Sequence, residues 1–189
     1  VRKAASEPAG SAEVDADEMR RLIDACAAGD RQAMRRVYER CVNRLYRLMV
    51  RMVGRQEAED LTQQVFLQAF AKLDQFRGAS KFETWIYRLA VNEALQHLRR
   101  KKSQPMQTLT IDSAQYQPDR LIENEQAAEV QQALDRIDPL LRAILLLKEE
   151  ESLSYREIAT VVGIPEGTVG SRLNRARQAL RQELVQLGW

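Results

Sequence analysis

Ser154-Tyr155-Arg156-Glu157-Ile158-Ala159-Thr160-Val161-Val162-Gly163-Ile164-Pro165-Glu166-Gly167-Thr168-Val169-Gly170-Ser171-Arg172-Leu173 reads as two short helices about one tight turn. Ser154 and Glu157 stand three apart, the spacing at which each side chain satisfies a free backbone donor of the first helical turn. Ile158, Ala159 and Val162 share one face, and the small Ala159 allows close approach of a second helix. Gly163 supplies the left-handed conformation that leaves the first helix, and Ile164-Pro165 completes the break. Helix resumes from Glu166 to about Leu184, with Val169 and Leu173 anchoring it on its partner. The outward positions Glu166, Thr168, Ser171, Arg172, Asn174 and Arg175 carry groups that reach base edges and phosphates. The pattern is that of a helix-turn-helix; a helical hairpin with a charged, solvated face is the plainer alternative.

Helical signals continue in both directions. Asp138 with Pro139 is a cap followed by the residue whose missing N–H costs least at a helix start. Before it, Ala127, Val130, Leu134 and Ile137 form another apolar face. Residues 103–118 hold Ser, Gln, Thr and Pro without amphipathic period and read as a flexible linker, so a second domain covers 119–189. Upstream, Leu22, Ile23 and Cys26 mark a short helix ending near Gly29. Asp30 caps the next, whose face repeats Met34, Val37, Tyr38, Cys41, Leu45, Leu48, Met49 and Met52 at steps of three and four until Gly54. A third helix spans about Glu57 to Leu73, with Leu61, Val65, Phe66, Ala69 and Phe70 inward. Asp60, Gln63, Gln64, Leu67 and Gln68 lie on its other face. Ser80 and Glu83 read as a second capping box, opening a helix that ends in Arg99-Arg100-Lys101-Lys102. Residues 1–18 lack periodicity and read as a disordered tail. The whole is an all-α chain of two small helical domains, 19–102 and 119–189.

With 189 residues, 44% hydrophobic and only eight Gly and five Pro, helix is favoured nearly throughout. The net charge of +2 conceals an uneven distribution. Residues 77–102 carry seven Lys/Arg against two Glu, whereas 103–133 carry one Arg against five Asp/Glu. The basic block attracts phosphate backbones and the acidic block repels them. No apolar run approaches the roughly 18 to 20 residues of a membrane span, so membrane insertion is not expected, and the cytoplasm is the compartment expected. Cys26 and Cys41 fall on apolar faces without a CxxC, and His97 has no partner at ligand spacing, so neither a metal site nor a cofactor is expected. No paired carboxylates, nucleophile elbow or phosphate-cradling Gly loop suggests catalysis.

The first domain holds a second nucleic-acid signature. Phe76, Trp85 and Tyr87 lie among Arg77, Lys81 and Arg88, with Asn92 two turns beyond Trp85. Aromatic faces stack on unpaired bases while cations hold the backbone, which suits a single strand. An extruded base needs an aromatic wall and a polar group to read its edge, types that Phe76 and Asn92 supply. Trp85 is better read as core, Tyr87 is open to either role, and the Arg99 to Lys102 run equally suits a solvated helix end.

Asp60-Leu61-Thr62-Gln63-Gln64-Val65-Phe66, then Phe76-Arg77-Gly78, then Thr84-Trp85-Ile86-Tyr87-Arg88-Leu89-Ala90-Val91-Asn92 resemble the second conserved region of extracytoplasmic-function sigma factors. Leu153-Ser154-Tyr155-Arg156-Glu157-Ile158-Ala159 and Gly167-Thr168-Val169-Gly170-Ser171-Arg172 resemble their fourth. The resemblance covers about 19–102 and 125–185. It implies a factor that binds core RNA polymerase (its largest and second-largest subunits) and promoter DNA, the polymerase supplying all chemistry. Asp60, Gln63, Gln64 and Leu67 would dock on core polymerase. Phe76, Arg77, Ser80, Lys81, Arg88, Asn92 and Arg99 would take the melted minus-ten element, and the helix from Glu166 would read the minus-thirty-five element. An anti-sigma factor or other inhibitor is a further partner implied. Two positions depart from the family pattern: Gln64 stands where a carboxylate is usual, and Gly170 where Arg or Lys is usual. A phosphate on Thr62 would restore the charge that Gln64 lacks, against the plainer reading of an unmodified helix-surface residue. A stand-alone repressor or activator using only the C-terminal motif is the competing class, and it leaves Phe76, Asn92 and the Asp60 helix unexplained.

Overall fold

The computed structural model describes residues 9–103 and 125–189, which form eight α-helices and one 3-10 turn, with no strand among the described residues. Four helices make a first bundle: α1 (Ala9–Ala27), α2 (Arg31–Val53), α3 (Arg55–Ala71) and α4 (Phe82–Ser103). The 3-10 turn Leu73–Gln75 leads into the loop before α4. Four more make the second: α5 (Glu125–Arg136), α6 (Pro139–Glu149), α7 (Tyr155–Val162) and α8 (Glu166–Gln186).

The helix ends follow from local chemistry. Asp30 accepts from the N–H groups of Gln32 at 2.8 Å and Ala33 at 3.3 Å, a cap worth about 1 kcal/mol. Asp138 does the same for Leu140 and Leu141 at 3.0 and 3.1 Å, with Pro139 at the first helical position. Gly54, at φ 88°, closes α2 by donating its N–H to the Val50 carbonyl. The long stripe of α2 is buried as its period demands, with Val37, Leu45, Leu48, Met49 and Met52 almost wholly excluded from solvent. Both cysteines are buried and free, and burial pushes the Cys41 thiol up to about 12.

Two expectations are corrected here. Helix α1 begins at Ala9, so residues 9–18 belong to a helix and not to a disordered tail. Alanines at 9, 12 and 16 favour helix, and Glu18 is tied across to Arg36 and Arg40 at 2.9 and 3.2 Å. At α4 the capping box falls one residue out of register. Lys81 supplies the first carbonyl, accepting from the Trp85 N–H at 3.2 Å, and the Ser80 hydroxyl donates to the Lys81 carbonyl. The linker read at 103–118 lies outside the described residues except for Ser103 at the end of α4, as does the start of the second domain near Asp119.

The two bundles touch. Helix α4 runs against α7 and α6, and α2 meets α5 and α6. The side chain of Arg142, only 3% exposed, crosses this seam from α6 to the end of α2. No described helix is long and apolar enough to cross a membrane.

Candidate nucleic-acid interface

The motif at the C-terminus folds as its residues dictate. Ser154 and Glu157 form the reciprocal cap of α7: the Glu157 N–H donates to the Ser154 hydroxyl, and the Ser154 N–H donates to the Glu157 carboxylate at 2.9 Å. Partial burial raises the Glu157 pKa. The Ser154 hydrogen bonds and the nearby cations Lys81 and Lys148 outweigh this and hold it below the usual carboxylate range. Gly163 is left-handed at φ 70°, ψ 40°, and its N–H and that of Ile164 both reach the Ala159 carbonyl. Val169, Leu173 and Ala176 are fully buried beneath α8.

That packing turns the opposite face of α8 outward. Glu166, Ser171, Asn174 and Arg175 are exposed, and Thr168 and Arg172 are half-buried. The hydroxyls of Thr168 and Ser171 donate to the carbonyls of Pro165 and Thr168 at 2.7 and 2.9 Å. Their lone pairs are therefore the groups left to accept from a ligand. At Gly170 a Cβ would meet only the Tyr155 ring, at 3.4 Å, so the glycine lies against the first residue of α7. Lys148 Nζ lies 5.8 Å from the centroid of that ring.

In the first bundle, Phe76, Phe82 and Trp85 form one aromatic cluster with ring centroids 5.5 to 5.6 Å apart. Trp85 is buried, as expected of a core residue, whereas Phe76 stays half-buried at the rim and keeps part of its ring accessible. The loop after it carries exposed Arg77 and Lys81 and half-buried Ser80. Arg88, Asn92 and Arg99 are all exposed on α4. Steps of four and seven place them on one stripe. Lys101 pairs with Glu57 at 3.7 Å.

Tyr87 resolves the other way. It is 4% exposed and donates its hydroxyl to the Glu151 carboxylate of the second bundle, and burial and that bond push its phenol pKa up. It therefore belongs to the seam. Thr62 is corrected as well: it is 3% exposed and its hydroxyl donates to the Ala58 carbonyl at 2.6 Å, so it is no helix-surface phosphate acceptor. Its neighbours on α3 do face solvent. Asp60, Gln63 and Gln64 are exposed and surround Leu67, which leaves 71% of its surface in water. Among the described residues no group of His, Cys, Asp and Glu is placed to hold a metal ion.

Comparison with known proteins gives matches in sequence and in fold. Residues 37–104 match the family model for sigma-70 region 2, and residues 127–180 match that for sigma-70 region 4. The RNA polymerase sigma-H factor of Pseudomonas aeruginosa is 35% identical over 185 residues, covering 90% of this chain and 96% of that protein. The extracytoplasmic-function sigma factor SigW of Bacillus subtilis is 30% identical over 183 residues, covering 89% and 98%. The fold is shared with the sigma factor RpoE of Bartonella quintana, solved in complex with the anti-sigma factor NepR. There the TM-score is 0.63 at 24% identity, covering 82% of this chain and 98% of that one. The chain belongs to the extracytoplasmic-function sigma factors of the sigma-70 family. It is an alternative sigma factor for transcription initiation and not itself an enzyme.

Sequence reasoning did not single out Arg142, Glu151 or the pairing of Lys148 with Tyr155. For Arg142 a signal existed: one cation stands alone within Leu140-Leu141-Arg142-Ala143-Ile144-Leu145-Leu146-Leu147, a run otherwise fit only for a core.

Proposed function

We propose that this sigma factor divides promoter recognition between two modules, residues 19–102 and 119–189, and docks on core RNA polymerase through the outer face of α3. Asp60, Gln63, Gln64 and Leu67 form the docking face, an apolar centre in a polar surround of the kind that carries binding energy. Phe76 and Asn92 receive a base extruded from the melted minus-ten element. Arg77, Ser80, Lys81, Arg88 and Arg99 hold the adjoining backbone. Glu166, Thr168, Ser171, Arg172, Asn174 and Arg175 read the minus-thirty-five element in the major groove. With Gly170 where the family pattern usually has Arg or Lys, Ser171, Arg172 and Arg175 bear most of that readout. The protein works in the cytoplasm, and an anti-sigma factor or other inhibitor is its natural antagonist, both readings supported by family membership.

The observation that carries this assignment is the exposure of Arg88, Asn92 and Arg99 along one stripe of α4, the helix whose Trp85 packs against the half-buried ring of Phe76. A partly accessible ring on a unit that also exposes cations is suited to a stacked base on a charged strand. The test is promoter binding by holoenzyme carrying Asn92→Ala or Phe76→Ala. Each is expected to weaken binding of a single-stranded minus-ten oligonucleotide by about 1–3 kcal/mol while leaving binding of duplex minus-thirty-five DNA intact. Arg172→Ala and Arg175→Ala are expected to do the reverse. Loss of duplex binding alone from all four variants would instead support a regulator that uses only its helix-turn-helix.

A further inference from the structure

Helix α2 carries seven arginines, no lysine and a single carboxylate, Glu39, over its 23 residues. At about 100° per residue, Arg36, Arg40, Arg44, Arg47 and Arg51 fall within an arc of roughly 80°. At 1.5 Å per residue they form a stripe about 22 Å long. The stripe borders the buried face of the helix and turns to solvent: Arg36, Arg44 and Arg47 are exposed, and Arg40 and Arg51 half-buried. Midway along it, Arg40 and Arg44 line a recess of about 140 Å³ with Glu83 and Tyr87 of α4. Like charges one turn apart destabilise a helix, so packing alone gives no reason for this arrangement.

Carboxylates of the chain answer only the two ends of the stripe. Glu18 meets Arg36 and Arg40 at 2.9 and 3.2 Å, and Glu150 stands 3.5 Å from Arg51. No ion pair or hydrogen bond holds Arg44 or Arg47 among the described residues. We propose that the arginine stripe of α2 is a backbone track for promoter DNA, its guanidinium groups contacting phosphates without regard to base sequence. The inference goes beyond the base-reading roles given above, and it does not require Phe76 or Asn92 to hold a base.

The chemistry favours phosphate. A guanidinium presents a planar fork that matches two phosphate oxygens, whereas an ammonium acts as a point charge. The length of the stripe covers about six phosphate steps of one strand at 3.4 Å each. Tyr38 and Tyr46, the aromatic residues of α2, fall outside the arc. The stripe therefore lacks a stacking platform and can hold a backbone but not read bases. The pair between Arg36 and Glu18 is exposed, and such pairs are weak enough for phosphate to displace. Promoter DNA is the polyanion that a sigma factor meets, and α2 packs directly on α4 within one bundle.

The salt dependence of promoter binding tests the track. Holoenzyme carrying Arg44→Gln with Arg47→Gln is titrated, by fluorescence anisotropy, onto a labelled duplex bearing a promoter that the wild-type holoenzyme transcribes. Each lost phosphate contact should flatten the plot of log affinity against log salt by about 0.9, so the double variant should lose about 1.8 of slope. Between about 50 and 200 mM salt, the wild type should then lose about tenfold more affinity than the variant. Arg31→Gln with Arg35→Gln removes the same charge from the same helix outside the arc, and should change the slope by less than about 0.5. Circular dichroism checks that the variants remain helical. If the double variant unfolds, Arg44→Gln alone should flatten the slope by about 0.9. An unchanged slope in a folded stripe variant overturns the track, as does an equal fall in the control pair. An unchanged slope with weakened binding of core polymerase would make the stripe a face for an acidic protein surface, and overturns it too. If Phe76→Ala and Asn92→Ala leave minus-ten binding intact while the stripe variant flattens the slope, the track stands and the base-pocket reading fails.

Discussion

Leu67→Ala separates docking from folding, because the side chain contributes almost nothing to the core. Leu67 keeps 71% of its surface in water, whereas Leu61, six residues earlier on the same helix, keeps 5%. Burying a whole leucine contributes about 1.5–3 kcal/mol. If polymerase covers what Leu67 leaves exposed, docking gains about seven-tenths of that, roughly 1–2 kcal/mol. Truncation should then weaken core binding about 5- to 30-fold. The melting temperature should scarcely move, since alanine is the best helix former and no buried contact is lost. Leu61→Ala is the contrast: it should cost about 2–5 kcal/mol of stability through an internal cavity. Fluorescence anisotropy of a labelled chain titrated with core polymerase, alongside thermal unfolding, reads both quantities. A folded Leu67→Ala protein that binds core as tightly as wild type would refute the assignment of α3 as the docking face.

Three further outcomes follow from local geometry. Gly170→Ala should stabilise the fold by about 0.5–1 kcal/mol, because the new Cβ meets only the Tyr155 ring at ordinary contact distance; a fall in melting temperature would show that α7 and α8 tolerate no added atom there. Glu157 has a folded pKa below its ordinary value, so its contribution is present above the unfolded carboxyl pKa and lost as pH falls through the folded one. Acid titration of wild type against Glu157→Gln should show the stability gap closing below about pH 4, and a gap constant down to pH 2 contradicts the capping role. Cys41, buried and held up to about 12, should resist thiol-specific reagents at neutral pH until the protein unfolds. Rapid labelling of the native chain would show that α2 opens locally.

What could be read in the residues was whatever depends on neighbours within a turn or two. Asp30, Asp138 and the Ser154–Glu157 pair cap the helices that their spacing announces, and Gly54 and Gly163 end them with positive φ. The same local periods put Trp85 inside and Asp60, Gln63, Gln64 and Leu67 outside. Errors arose where a single-residue shift mattered: Ser80 stands one position too early to cap α4, and Thr62 falls on the inward side of α3. A helix advances about 100° per residue, so one step carries a side chain from surface to core.

Sequence by itself determined an all-helical chain, the helix-turn-helix, and the residue types able to meet a melted strand, since each is encoded by spacing along one helix or across one turn. Tertiary structure alone decided the fate of Tyr87 and Arg142, because their partners, Glu151 and Met52, lie 64 and 90 residues away. Contacts at that separation leave no periodic trace in the chain. They exist only once two independently patterned bundles have met, and the desolvation of one guanidinium records that meeting.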